Sequence, residues 1–174
     1  TSFLEQDGDA SYFVVGTAFC LPGEQEPAKG RILVFQLTEQ KKLAKVTELD
    51  VPGAVYTMSP FQEGKLLAGV DSKLQVYTWS VVEADGSRTL RRECGHHGHI
   101  IVLYIAVRGD FVVVGDLMKS VSLLHYKPPG SDGSSDGGGS IEEVAKDFDA
   151  NWMTAVSTID DHTFIGAEHE YNIF

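Results

Sequence analysis

Cysteine and long apolar runs are scarce in this chain. Its 174 residues include only Cys20 and Cys94, whereas a small disulfide-stabilised domain carries more cysteines at shorter spacing. We therefore expect free thiols and a reducing, intracellular compartment. No apolar run approaches the roughly 20 residues of a membrane helix, and no signal peptide is recognisable. The sequence thus predicts neither a disulfide scaffold nor a membrane partner.

Basic residues are also few. Lys and Arg number 14 against 25 Asp and Glu, which gives a net charge of −11. Nucleic-acid binding draws most of its affinity from Lys and Arg on phosphates. The densest basic group, Arg88, Arg91 and Arg92, is followed directly by Glu93, and we interpret it as a solvated strand face. Direct contact of this segment with nucleic acid is not expected.

Catalytic signatures are missing as well. There is no Gly-x-Ser-x-Gly elbow, phosphate loop or dinucleotide fingerprint. The adjacent carboxylates at 142–143 and 160–161 do not suit a glycosidase, in which two carboxylates face each other across a substrate. An Asp-Asp pair is ordinary in a turn. We predict no catalytic residues, no cofactor and no enzyme activity, with a propeller enzyme as a remote alternative.

The nearest approach to a metal site is the segment 94–99, which contains Cys94, His96, His97 and His99. Structural zinc sites pair two ligands at short spacing with a second pair elsewhere. No second pair stands out, although His125, His162 and His169 leave that alternative open. We interpret the segment as a solvated, glycine-containing turn and predict no metal.

What the sequence does contain is a repeat with a period of about fifty residues. An apolar strand runs into a glycine four times, at 12–16, 66–69, 111–115 and 164–166, and a second strand follows at 31–36, 73–77, 120–126 and 171–174. An all-strand period of this length is typical of a four-stranded β-propeller blade. We predict an all-β fragment of one propeller domain over 1–174, with about three and a half blades, cut from a longer protein.

The sequence predicts three loop segments. Residues 1–11 are polar and acidic, and we expect a connection there. Residues 21–30 hold two prolines and two glycines, which predicts an elaborated loop. Residues 130–140 contain only Gly, Ser and Asp, which predicts a flexible insert because so little apolar surface offsets the entropy of ordering it. An outer strand should follow at 141–148, unless 142–145 form a short helical turn.

Large residues open each copy of the repeat and are the candidate functional residues. Ala54, Tyr56 and Thr57 correspond to Ile101, Leu103 and Tyr104, and Trp152 corresponds to them in the last copy. The first strand of each blade lines the central channel of a propeller. Such residues either pack in the core or form a concave apolar surface for a partner's helix, since Trp and Tyr dominate binding hot spots.

Several longer strings carry a family resemblance. Residues 12–18, 26–32, 53–56, 109–111, 114–118 and 147–153 closely resemble the large subunit of the damaged-DNA-binding protein, the adaptor family of cullin-4 RING ubiquitin ligases. The similarity runs from 12 to 174 and breaks at 130–140. Two sister families, the large subunit of the cleavage and polyadenylation factor and a propeller subunit of the splicing factor 3b complex, share the architecture. The strings 115–118 and 151–156 favour the ligase adaptor.

The resemblance implies a place in the third of three seven-bladed propellers, in the nucleus and cytoplasm. In that family substrate receptors insert a helix between the first and third propellers, and the second propeller holds the cullin. Ile101 stands where the family commonly has Met, and Gln25 is less apolar than expected. A scaffold of an RNA-processing complex is the alternative function. The resemblance implies a partner-binding wall made of Ala18, Ala54, Tyr56, Thr57, Ile101, Leu103, Tyr104 and Trp152.

Overall fold

The computed structural model describes residues 2–6, 10–62, 64–82, 86–130 and 138–174. These parts contain fourteen strands and no helix. The strands are β1 (Ser2–Gln6), β2 (Ala10–Ala18), β3 (Gly30–Leu37), β4 (Leu43–Val51), β5 (Val55–Phe61), β6 (Lys65–Val70), β7 (Lys73–Val81), β8 (Arg88–His97), β9 (Val102–Arg108), β10 (Phe111–Asp116), β11 (Val121–Lys127), β12 (Ser140–Lys146), β13 (Met153–Thr158) and β14 (Phe164–Glu168).

The strands form four antiparallel sheets in chain order. Sheet 1 is β1–β4, sheet 2 is β5–β8, sheet 3 is β9–β12, and sheet 4 consists of β13 and β14. The first strands are neighbours in space, because β1 contacts β5, β5 contacts β9, and β9 contacts β13. Successive meander sheets with adjacent first strands are the arrangement of propeller blades. The predicted all-β propeller fragment is therefore confirmed, with three four-stranded blades and a two-stranded fourth.

The repeated glycines mark where one sheet meets the next. A Cβ on Gly16, Gly69 or Gly115 would lie 2.5, 2.7 or 2.9 Å from a valine Cγ1 on the first strand of the following sheet. These distances are shorter than van der Waals contact, so only glycine permits the approach. The three valines are Val55, Val102 and Val156.

Two apolar cores fill the spaces between sheets. The first junction, between sheets 1 and 2, contains Tyr12, Val14, Ile32, Val34, Val51, Leu66, Ala68, Val70, Tyr77, Trp79 and Leu90. The second junction, between sheets 2 and 3, contains Phe61, Leu67, Leu74, Val76, Val102, Val112, Val114, Leu124, Tyr126 and Ile141. Strand β7 contributes Tyr77 and Trp79 to the first junction and Leu74 and Val76 to the second, because successive side chains of a strand point to opposite faces.

Three local predictions were wrong. Residues 2–6 are not a connecting loop, because β1 pairs with β2 and completes sheet 1; the short apolar run there is masked in sequence by the acidic residues that follow. Residues 171–174 do not form a strand and make a single bridge, between Ile173 and Ala167. Residues 142–145 lie in β12 and form no helical turn.

The loop predictions have different outcomes. Residues 19–29 contain no strand, in agreement with their prolines and glycines. Most of the predicted insert at 130–140 lies outside the described residues, which include only Gly130 and 138–140 of it. Within the described parts of the chain there is no helix long and apolar enough to cross a membrane.

Candidate partner-binding surface

The predicted wall residues gather at one end of the sheets, where the first strands begin; we call this end the rim. At the start of three successive sheets, the carbonyls of Ala54, Ile101 and Trp152 accept the same kind of backbone hydrogen bond. The three positions are thus structurally equivalent, as the repeat predicts. The donors are the amides of Asp71, Leu117 and His169, at 3.0, 3.1 and 3.0 Å.

A β-bulge occurs at the rim in both sheets 2 and 3. The pairing of β5 with β6 skips Tyr56, and Thr57 then pairs with the repeated Gly69. The pairing of β9 with β10 skips Leu103 in the same way, and Tyr104 pairs with that sheet's repeated glycine. A bulge redirects the side chain of the unpaired residue and is common beside binding sites.

Exposure separates the wall residues into surface and core. Tyr56 and Trp152 are 41% and 48% exposed, whereas Thr57, Ile101, Leu103 and Tyr104 are half-buried. Ala54 is only 3% exposed. Its side chain therefore belongs to the core beneath the rim.

Ala18 lies at the rim, but on a second strand. It ends β2, is exposed, and pairs with Gly30. Gly30 packs so tightly on the carbonyl of Gly53 that a Cβ would not fit. Since Gly53 precedes Ala54, Ala18 is joined through this glycine contact to the rim of sheet 2.

Asp71 fixes the geometry of the rim of sheet 2. Its carboxylate accepts the amide of Ala54 at 2.8 Å, and its backbone carbonyl accepts the amide of Val102, in the next sheet, at 2.9 Å. Asp71 has φ 48°, a left-handed conformation that Asp tolerates better than most residues. The sequence shows Asp71 only as a turn residue, and its bridging role was missed.

Asp116 plays the corresponding part in sheet 3. It is 1% exposed, and its carboxylate accepts the amide of Ile100 at 2.7 Å and those of Met118 and Lys119 at 2.8 and 2.9 Å. The carboxylates of Asp71 and Asp116 thus accept hydrogen bonds from four backbone amides at the rim. The shared signal in sequence is an aspartate one or two residues after the repeated glycine.

The two exposed aromatic residues have defined neighbours. Burial raises the pKa of the Tyr56 phenol, and the negative charges of Asp71 and Glu26 add to the effect. Glu26 belongs to the elaborated loop, so that loop comes close to Tyr56. The Trp152 ring packs on His169 with centroids 5.3 Å apart and planes inclined by 31°. Trp152 is thus held by a ring contact on one side, and both rings remain partly exposed.

A cleft of about 780 Å³ adjoins the rim at sheet 1. It was not predicted, because its lining comes from the elaborated loop and the ends of β3 and β4. Phe19 and Leu21 are 41% and 59% exposed there, and the Arg31 guanidinium stacks over the Phe19 ring at 4.8 Å. The apolar surface of the rim therefore continues past Ala18 into this loop.

The cysteine- and histidine-containing segment 94–99 differs from its prediction as a solvated turn. Cys94, His96 and His97 belong to β8, and His99 is 6% exposed. Packing of β12 against β8 encloses this end of the strand. No group of three or more His, Cys, Asp and Glu side chains in the described ranges is arranged to hold a metal ion.

Comparison with known proteins identifies the family. The model of the CPSF A subunit region matches residues 2–174. The chain is 53% identical over 168 residues to DNA damage-binding protein 1 of Oryza sativa subsp. japonica and 50% identical to that of Solanum lycopersicum, with 97% of this chain covered. It is 51% identical to DNA damage-binding protein 1a of Arabidopsis thaliana, with 93% covered.

The chain spans about 14% of the length of these relatives. The family match spans residues 2–174, which include all four sheets. The family match and these identities confirm the resemblance drawn from the motif strings. The chain belongs to the CPSF A subunit region family, within which it is similar to DNA damage-binding protein 1.

Proposed function

We propose that this chain is part of a non-catalytic propeller scaffold that binds substrate receptors of a cullin-4 RING ubiquitin ligase through its rim. One observation carries the proposal: partly exposed apolar residues at the start of three successive first strands lie next to one another at one end of the sheets. Tyr56, Leu103, Tyr104 and Trp152 follow one another around that end, because β5, β9 and β13 are neighbours.

The chemistry of the rim suits an apolar helix. Its aromatic rings lose little conformational entropy on binding, since their orientation is already restricted by packing, and such residues dominate hot spots. The backbone beneath them is fixed by the carboxylates of Asp71 and Asp116. A preorganised, apolar rim accepts the hydrophobic face of a helix with little rearrangement.

The remaining parts of the proposal concern the longer protein. The cullin would bind another propeller, and the complex would act in the response to DNA damage and in protein ubiquitination, in the nucleus and cytoplasm. The relatives are named for binding damaged DNA. Because this chain has a net charge of −11, we assign DNA contact to a partner subunit and not to this segment.

The test is capture of substrate receptors by the full-length protein carrying Tyr104→Ala together with Trp152→Ala. We expect the amount of receptor captured to fall about tenfold or more, since truncating two hot-spot aromatics costs more than 1 kcal/mol each. The matched control is Phe111→Ala, an aromatic residue that is 43% exposed and pairs with Arg108 at the opposite end of sheet 3. Equal capture by the double variant and the control would refute the rim as the receptor site.

The alternative is a scaffold of an RNA-processing complex with the same fold. Mass spectrometry of material purified with the full-length protein separates the two functions. Cullin-4 and its receptors are the expected partners. Splicing or polyadenylation factors in their place would select the alternative.

A further inference from the structure

The connection from β2 to β3 is much longer than its counterparts in sheets 2 and 3. It spans residues 19–29, whereas the corresponding connections are residues 71–72 and 117–120. Two antiparallel strands are commonly joined by two to five residues, so the hairpin itself does not require so long a loop. Compact surface loops of this length, with their ends close together, frequently carry function.

Both ends of the loop 19–29 are fixed by hydrogen bonds. The amide of Phe19 donates to the carbonyl of Lys29 at 2.9 Å. The Thr17 hydroxyl donates to the Arg31 carbonyl and accepts the Arg31 amide, each at 3.1 Å. Between these contacts lies Gly30, which is buried. The loop therefore presents its side chains from a rigid base, which reduces the entropy that a partner loses on binding them.

This loop lies between the rim and the cleft of about 780 Å³ at sheet 1. Burial raises the pKa of the Tyr56 phenol, and the negative charges of Asp71, Glu26 and Cys20 add to the effect. Two of these residues belong to the loop, so one side of it is close to Tyr56. Phe19 and Leu21, the neighbours of Cys20 in sequence, line the cleft. A partner that covers Tyr56 is thus separated from the cleft only by this loop.

The lining of the cleft favours an uncharged, apolar occupant. Its charged side chains are balanced, with Lys29 and Arg31 against Glu24 and Asp50. A strongly acidic or basic segment would therefore meet as much repulsion as attraction, and a nucleic acid needs an excess of Lys and Arg. The remaining side chains of the lining are apolar, namely Phe19, Leu21, Ala28, Val51 and Pro52.

Arg31 holds the apolar wall of the cleft in place. Its guanidinium lies over the Phe19 ring, 4.8 Å from the centroid, and its Nε donates to the Asp50 carboxylate at 2.8 Å. The positive charge is thus compensated, while the ring of Phe19 keeps a defined orientation. A fixed aromatic ring beside an exposed leucine is the kind of surface on which binding hot spots form.

We propose that the cleft binds bulky apolar side chains from an extended segment of the substrate receptor, next to the helix that the rim accepts. This inference rests on the proposed function, since it names a second contact of the same partner. The volume of the cleft falls within the range of about 300–1,000 Å³ that is usual for ligand sites, which leaves room for a bulky side chain and its backbone. Receptor chain that leaves a helix seated on Tyr56 would pass over the loop and reach the cleft.

The probe is a purified receptor whose capture by the full-length protein is lost in the rim double variant described above. We expect Phe19→Ala/Leu21→Ala to raise the Kd of this receptor about tenfold, because both truncated side chains are hot-spot candidates. The matched control is Leu37→Ala/Leu43→Ala. These leucines pair with each other at the far end of sheet 1 and are 48% and 62% exposed, close to the 41% and 59% of Phe19 and Leu21. The control should change Kd less than about twofold.

Photo-crosslinking identifies the bound segment independently of any change in stability. A benzophenone amino acid replaces Leu21 in one preparation of the full-length protein and Tyr56 in another, and mass spectrometry locates the crosslinked receptor residues. We expect the probe at Tyr56 to reach the receptor's helix. The probe at Leu21 should reach the chain that flanks this helix.

The outcomes separate the cleft from the rim. A receptor that needs the rim but binds Phe19→Ala/Leu21→Ala with unchanged Kd would overturn the cleft proposal and leave the proposed function intact. If the rim double variant captures every receptor normally, the proposed function fails and the cleft proposal fails with it. Crosslinks from Leu21 to the receptor's helix alone, or to a second copy of this protein, would also overturn the proposal.

Discussion

The two junctions between complete sheets have the same backbone geometry and different chemistry. In each, a repeated glycine of one sheet lies against a valine of the next. The first junction is closed by apolar and aromatic side chains, including the Tyr12–Trp79 ring contact with centroids 5.2 Å apart. The second junction adds an ionic network around Glu93 and a buried imidazole, His99, beside Asp116.

This difference between the junctions indicates that the repeat determines how adjacent sheets pack, whereas the polar side chains between the sheets vary from one junction to the next. Apolar packing is insensitive to pH and tolerates shape-conserving changes. A buried ionic network stabilises only while every member is paired, because an isolated buried charge is costly. The second junction should therefore respond to charge changes that leave the first unaffected.

The largest expected effect comes from Glu93→Gln. The substitution keeps the side-chain shape but leaves the Lys65 ammonium, 16% exposed, without its counterion. We expect local opening of sheets 2 and 3 to become easier by about 3 kcal/mol. Native-state hydrogen exchange of β6 and β11 amides in the full-length protein measures this.

The matched control for this prediction is Glu48→Gln. Glu48 also pairs with a lysine, Lys45, at 2.8 Å, but both side chains are more than 40% exposed. Its loss should leave the opening free energy nearly unchanged, because solvent already screens this exposed pair. Comparable losses at both sites would show that the buried network adds nothing to the second junction.

Replacing the repeated glycines should destabilise the two junctions equally. Gly16→Ala and Gly69→Ala would each place a methyl group within 3 Å of the next sheet, at 2.5 and 2.7 Å from a valine methyl. Overpacking of this kind costs about 2 kcal/mol, and hydrogen exchange of the two adjoining sheets should report it. In the control Gly138→Ala the nearest atom is 3.8 Å away. A loss at one junction only would contradict the common geometry.

The sequence predicts the features that repeat. The glycines, the second strands of the first three copies and the equivalence of Ala54 with Ile101 follow from a fixed period and appear in the structure, whereas the strand predicted at 171–174 does not. It does not predict β1, whose register depends on pairing with β2. The side-chain partners of Glu93 are equally hidden, because they come from strands as far as 33 residues away in sequence.

In the candidate site, too, the repeat predicts the positions of residues but not the properties that depend on three-dimensional contacts. Opening-strand aromatics can be located from the period, but their exposure cannot. Ala54 is buried, whereas Tyr56 is exposed because Tyr56 is the unpaired residue of the β-bulge. A bulge leaves no sequence pattern of its own. The bridging role of Asp71 likewise depends on a neighbouring sheet.

The smallest expected effect is a loss of stability at the second junction in mild acid. Burial lowers the pKa of His99 to about 4, although the negative charge of Asp116 opposes the shift. His99 is therefore neutral in the folded protein when the unfolded chain, with a His pKa of about 6.5, takes up a proton. The contribution of neutral His99 to the free energy of unfolding is present above pH 6.5 and is lost as the pH falls towards 4.

Glu93 extends that loss to lower pH. Burial alone would raise its pKa, but hydrogen bonds from Lys65, Thr78 and Tyr126 outweigh burial and lower it to about 2. Protonation therefore removes its contribution between about pH 4.5 and 2. Hydrogen exchange at pH 7 and 5.5 should show the second junction opening more easily by about 1 kcal/mol, and the first junction unchanged. In His99→Gln this difference should vanish; if it persists, another group is responsible and the comparison between the junctions fails.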